Sequence, residues 1–176
     1  MLTVDVCDTN SLQQLEIYLQ RQPGPWRYAE VVSLLEKPQY RVRVLTLNKQ
    51  SQLASDDGLA VANRADAASQ LCGFYICTVV ADECELIYVE VAPTQRRKGY
   101  GRLLIDSLID SAEFEHCQTI FLEVRASNTA ALALYEAMGF ETTGRRPAYY
   151  PAKAPARVRE DALLLRYTAP RLAPRG

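Results

Sequence analysis

The feature that most constrains this chain is a change of hydrophobic period made twice between Cys84 and Met138. Cys84 to Val91 is apolar and β-branched, short enough for a strand. Gly101 to Glu115 carries Leu103, Leu104, Leu108 and Ile109 as the inward residues of a helix. Thr119 to Val124 alternates like a strand, and Asn128 to Met138 is helical again, closed by Gly139 in the left-handed C-terminal position. A strand that feeds a helix twice over needs a sheet for both helices to pack on.

The chain upstream supplies the rest of that sheet. Leu2 to Val6 alternates as an opening strand. Asp8-Thr9-Asn10 offers a cap to a helix with Leu12, Leu15, Ile17 and Leu19, which stops before Pro23-Gly24-Pro25. Pro25 suits the first turn of a second helix carrying Trp26, Val31, Leu34 and Leu35, and Pro38 ends it. Tyr40 to Leu47 alternates with Arg41 and Arg43. Leu71 to Val80 forms a hairpin with the strand from Cys84 across Ala81-Asp82-Glu83, and Phe140 to Gly144 and Ala162 to Tyr167 are the last two strands. The predicted order is β-α-α-β-β-β-α-β-α-β-β, an α/β fold with a mixed sheet and helices on both faces. Between Asn48 and Gln70 the pattern dissolves into small and polar residues, which reads as a flexible loop.

The 176 residues suit one domain, with 48% hydrophobic and 23% charged residues. Twenty Lys+Arg against twenty-one Asp+Glu leave a net charge of −1, so bulk charge predicts no direct nucleic-acid partner. No apolar run is long enough to span a bilayer and the N-terminus lacks a signal pattern, so the expected location is the cytoplasm. The five cysteines show no C-x-x-C pair and His116 is the only histidine; reduced, partly buried thiols and no metal are expected.

The most informative run is Val91-Ala92-Pro93-Thr94-Gln95-Arg96-Arg97-Lys98-Gly99-Tyr100-Gly101-Arg102. A strand ends, a turn follows, and glycines open a helix whose exposed N–H groups and dipole favour an anion. Gly99 and Gly101 permit close backbone approach, and Arg96, Arg97, Lys98 and Arg102 add four positive charges with no acid among them. It is neither a P-loop nor a dinucleotide fingerprint. Taken alone, it reads equally as a solvated basic helix start.

Arg96-Arg97-Lys98-Gly99-Tyr100-Gly101 resembles the Arg/Gln-x-x-Gly-x-Gly/Ala pyrophosphate loop of the GNAT acetyltransferases. Leu122 to Asn128, Ala133 to Phe140, Tyr149-Tyr150-Pro151 and Arg159-Glu160-Asp161-Ala162 are similar to the RimI branch of that family, the ribosomal-protein N-terminal alanine acetyltransferases. The resemblance is specific from Val89 to Leu165. It implies a GNAT domain over 1–168, a frayed tail over 169–176, and acetyl-CoA as co-substrate without a metal. The implied acceptor is the N-terminal amine of a protein, a small-subunit ribosomal protein in this branch; the resemblance leaves oligomeric state open. Coenzyme contacts are implied at Val89, Glu90, Val91, Arg96, Arg97, Lys98, Gly99, Tyr100, Gly101, Arg102, Asn128 and Tyr135.

Two residues stand out chemically before the resemblance is applied. Ile120, Leu122 and Val124 share one strand face and Phe121, Glu123 and Arg125 the other. Glu123 there is either a base or the partner of Arg125 or Lys98. Tyr135, almost two helical turns after Asn128, shares a face with it and by itself reads as core. The resemblance implies Glu123 as general base and Tyr135 as general acid. Tyr149 and Tyr150, on the segment between the last two strands, are hypothesised to hold the acceptor backbone. Glu90 departs from the small apolar residue of the branch; it attracts a cationic acceptor or points away. The Asn48–Gln70 segment and the Pro151–Val158 insert also depart from it, and a lysine, a polyamine or a plain CoA-binding role are the rival readings.

Overall fold

A computed structural model of the chain describes residues 2–6, 9–21, 24–47, 70–152 and 158–169. Its elements are β1 (Leu2–Val6), α1 (Thr9–Arg21), α2 (Tyr28–Leu35), β2 (Tyr40–Leu47), β3 (Gln70–Val80), β4 (Glu83–Val91), α3 (Tyr100–Phe114), β5 (Thr119–Arg125), α4 (Thr129–Ala137), β6 (Glu141–Tyr150) and β7 (Glu160–Thr168). A 3₁₀ turn, Pro93–Gln95, precedes α3. The strands hydrogen-bond in the order β1-β2-β3-β4-β5-β7-β6. Parallel (β4 with β5) and antiparallel pairs coexist, so the sheet is mixed. Cys7, residues 48–69 of the expected loop, 153–157 of the insert and 170–176 of the expected tail lie outside the described residues.

The chain divides into two compact units, one of Met1–Tyr75 with Val89–Leu104 and one of Ile76–Tyr88 with Ile105–Gly176. In the first, β1 runs antiparallel to β2 from Leu2↔Leu47 to Val6↔Arg43. Leu15 of α1, Val31 and Leu34 of α2, Val42 and Val44 of β2 and Phe74 of β3 are buried, each stabilising by roughly 1.5–3 kcal/mol. Helix α2 begins at Tyr28, three residues later than Pro25 predicts. The Glu30 carboxylate accepts the Arg27 N–H at 2.8 Å and the Glu30 N–H donates to the Arg27 carbonyl at 3.0 Å, and this local cap sets the start in place of proline. Trp26 therefore lies outside the helix.

In the second unit, β5 pairs antiparallel with β7 over seven residues, Thr119↔Thr168 to Arg125↔Ala162. Ile120, Leu122 and Val124 are buried and their neighbours half-buried, the predicted division of faces. On α3 the buried residues of this unit are Ile105, Leu108 and Ala112. Leu103, expected to point inward, is exposed in the other unit, so the apolar stripe is rotated by about one position from the predicted one. Strand β6 runs to Tyr150 rather than stopping at Gly144. It is the edge strand, with register shifts between Thr142 and Gly144 and between Arg146 and Tyr150. Pro147 sits in the second irregularity, where a missing N–H costs nothing, and Ala148 beside it has φ 50°. Gly144 and Pro147 read as strand breakers because sequence does not show which strand will be the edge.

Among the described residues, no helix is long and apolar enough to cross a membrane. Cys72, Cys77, Cys84 and Cys117 are all buried, and none of them forms a disulfide among the described residues.

Candidate active site

In the first unit, the Pro93–Gln95 turn carries β4 towards α3. Arg97 (φ 64°) and Gly99 (φ 81°) both take left-handed backbone. At Gly99 nothing lies within 4 Å of where a Cβ would be, so its backbone conformation is what requires glycine. Arg96, Arg97 and Lys98 are exposed, as is Arg102 at the start of α3. Two short contacts shape the loop: Arg96 Nε donates to the Val91 carbonyl at 3.3 Å, and Lys98 Nζ to Gln95 Oε1 at 2.8 Å. Gln95 is buried, so Lys98 is held from beneath. The opening N–H groups of a helix lack intrahelical partners. Tyr100 and Gly101 open α3, and with the exposed cations before them they make a cradle suited to a phosphate ester.

The strand entering this loop is shaped by two features that sequence reading missed. A Cβ on Gly73 would meet the Glu90 carbonyl oxygen at 2.5 Å, so β3 must be glycine there for the Val89-Glu90-Val91 backbone to lie where it does. The Glu90 carboxylate accepts a hydrogen bond from Tyr18 Oη at 2.8 Å. Burial and this carboxylate push the Tyr18 phenol well above its ordinary pKa. Tyr18 is fixed in turn edge-on to Phe74, ring centroids 6.2 Å apart.

In the second unit, α4 is delimited at both ends by motifs that set Tyr135. Asn128 caps the helix through its side-chain oxygen, accepting Ala131 N–H at 3.4 Å. At the other end Gly139 (φ 87°) donates to the Glu136 carbonyl and Phe140 to that of Tyr135, both at 3.0 Å, a Schellman closure. Phe140 then packs on the Tyr135 ring at 5.6 Å and on Tyr167 at 5.4 Å. Tyr135 is buried, and its phenol is pushed up to about 12 by burial first and by the nearby Tyr150 second.

Glu123 pairs with neither Arg125 nor Lys98. Its carboxylate meets Arg146 of β6, Nη1 to Oε1 3.0 Å. Arg125 is engaged elsewhere, 3.0 Å from Glu160 and with its guanidinium 4.4 Å from the Tyr150 ring centre. Tyr149 and Tyr150, on β6 rather than on a connecting segment, stack edge to face at 5.0 Å, and Arg146 lies 5.4 Å over Tyr149. Arg159-Glu160-Asp161 secures this hairpin. Arg159 donates to the carbonyls of Ala148 at 2.6 Å and Tyr149 at 2.5 Å. Asp161 accepts from the Ala148 N–H at 2.7 Å and pairs with Arg145. Glu160 accepts the Ser127 N–H at 2.6 Å, and that bond with Arg125 holds its carboxyl at about 2. Thus Glu123, Tyr135, Tyr149 and Tyr150 belong to one cluster, with Arg125, Arg146 and Arg159–Asp161 as its frame. A cavity of about 630 Å³ in the same unit is lined by Leu132, Glu136, Phe140, Glu141, Leu163 and Leu165 among others, and includes none of the predicted residues.

The start of α3 is thus suited to an anion, and the strand and helix that follow it carry Glu123 and the buried Tyr135. The model of the acetyltransferase (GNAT) family matches residues 24–140, and the chain belongs to that family. More particularly, it is 43% identical over 99 residues to the ribosomal protein bS18-alanine N-acetyltransferase of Salmonella typhimurium, 56% of this chain and 65% of that protein. The counterpart from Escherichia coli K12 is 44% identical over 96 residues, 54% of this chain and 63% of that protein. The chain thus aligns with just under two thirds of the length of these curated relatives. The crystal structure of the ribosomal-protein-S18-alanine N-acetyltransferase from Escherichia coli superposes with a TM-score of 0.74 at 32% identity, covering 98% of this chain and 99% of that one.

Proposed function

We propose that this chain is an N-terminal protein acetyltransferase that uses acetyl-CoA and modifies the N-terminal alanine of a small-subunit ribosomal protein of the bS18 kind. The observation that carries the reading is the Glu123–Tyr135–Tyr149–Tyr150 cluster, framed by Arg159–Asp161, in a chain with a GNAT phosphate loop. The named relatives supply the acceptor.

Arg96, Arg97, Lys98 and Arg102, with the backbone of Gly99, Tyr100 and Gly101, hold the coenzyme's pyrophosphate. Val89, Glu90 and Val91 offer strand backbone to its acyl arm, Asn128 a polar contact, and the Val91 N–H the oxyanion donor. The coenzyme supplies an activated acetyl thioester. Glu123 takes the proton from the acceptor's α-amine, whose reference pKa of ~7.7–8.0 leaves little work to do. Tyr135 serves the departing sulfur. With its phenol at about 12 and a thiol at ~8.5, complete proton transfer to sulfur is uphill by about 5 kcal/mol. Tyr135 therefore works as a hydrogen-bond donor that strengthens as negative charge grows, not as a full acid. Tyr149 and Tyr150 hold the peptide.

The test is thiol release from acetyl-CoA with two peptides of one sequence, patterned on the basic N-terminus of a ribosomal protein. One carries a free α-amine and blocked lysines, the other the reverse. Turnover with the first alone is the expected result; turnover with the second alone moves the chain to lysine or small-amine acetylation.

A further inference from the structure

Arg146 is the one cation with a side-chain ion pair to Glu123 among the described residues, and nothing in the acetyl-transfer scheme requires it there. It reaches Glu123 across β7. Ala162 of β7 is in register with both Arg146 and Arg125, and Leu164 with Glu123, so all lie on one face of the sheet. Arg146 remains 54% exposed while Glu123 is 21% exposed. The guanidinium lies at the same time 5.4 Å over the Tyr149 ring.

From this arrangement, and resting on the acetyl-transfer reading, we propose that Arg146 is a specificity-determining residue. Its charge, seated at the Glu123 carboxylate, admits a neutral α-amine and holds back a lysine ammonium. At pH 7.5 an α-amine is neutral in about a third of molecules, a lysine amine in about one in a thousand. A neutral amine meets the guanidinium without repulsion. A lysine must bring a second positive charge beside the first or expel Arg146. An ion pair this exposed is weak, so the filter is modest, about fivefold, and weakens with salt.

The experiment compares kcat/KM for the two peptides above in the native chain, Arg146→Ala and Arg146→Lys, with far-UV dichroism as the folding control. The expected result is that Arg146→Ala raises the lysine-to-α-amine ratio about fivefold, while Arg146→Lys, which keeps the charge, stays within about twofold of native. An unchanged ratio in Arg146→Ala overturns the proposal, as does an equal shift in Arg146→Lys. Should the native chain acetylate neither peptide, the acetyl-transfer reading fails on its own. Equilibrium binding of the two peptides then decides the charge filter, since Arg146→Ala must raise the lysine-to-α-amine affinity ratio over that of the native chain by that factor or the proposal falls.

Discussion

The proposed phosphate loop and the carboxylate–tyrosine cluster are held in opposite ways. Two side-chain contacts of the loop span three residues (Lys98 to Gln95) and five (Arg96 to Val91), and its shape is set by left-handed backbone at Arg97 and Gly99. The cluster is tied by contacts 10 to 35 residues apart, from Arg159–Tyr149 to Arg125–Glu160. A local motif depends on backbone conformation, and any change that keeps the φ angles keeps the loop. A cluster assembled by strand register depends on individual side chains far from the chemistry. The two should therefore fail separately, the loop in coenzyme affinity and the cluster in turnover and peptide affinity.

The largest effect belongs to Glu123→Gln, which removes the proposed base: turnover falls about 10²–10⁴-fold while acetyl-CoA affinity, read by calorimetry, holds. Tyr135→Phe comes next, with turnover down about 10- to 100-fold for loss of a hydrogen bond to developing charge. The same variant has a pH signature. Tyr135 loses its proton near 12 in the folded chain and near 10 unfolded, so its contribution to stability is complete below pH 10 and lost as pH rises through about 12. Tyr135→Phe should lose less stability over that window than the native chain does in denaturant titrations.

Glu160→Gln should raise KM for the acceptor peptide about fivefold with little effect on acetyl-CoA, because it frees Arg125 and, through it, Tyr150. The Glu160 carboxyl sits at about 2 when folded, so its contribution is present above the unfolded value of 4.5 and lost as pH falls through about 2. The variant's acid unfolding profile should be flatter there. On the other side of the comparison stands Gly99→Ala, which forces an alanine to φ 81° at a cost of about 1–2 kcal/mol. Weaker acetyl-CoA binding with unchanged turnover at saturation is the expected pattern.

The same contrast explains what can be read from the residues alone. The loop is legible because helix starts and glycine conformations are local, and the boundaries of β2 and the faces of β5 follow from alternation. Gly139 closing α4 follows from the left-handed preference of glycine; His116, at φ 62°, closes α3 in the same manner without that signal. The partner of Glu123 is not legible. Arg125 is its neighbour in sequence, but only the antiparallel pairing of β5, β7 and β6 brings Arg146 to it and gives Arg125 to Glu160. Gly73 likewise gives no sign, since its need arises from a backbone passing from another strand.

The central claim is that the loop and the cluster divide the work. It is tested most directly by measuring two constants, acetyl-CoA dissociation and turnover at saturation, on two reciprocal variants, Glu123→Gln and Arg97→Ala. The account predicts that the first loses turnover and keeps its dissociation constant, while the second loses affinity and keeps its turnover. Variants that each move both constants together would contradict it.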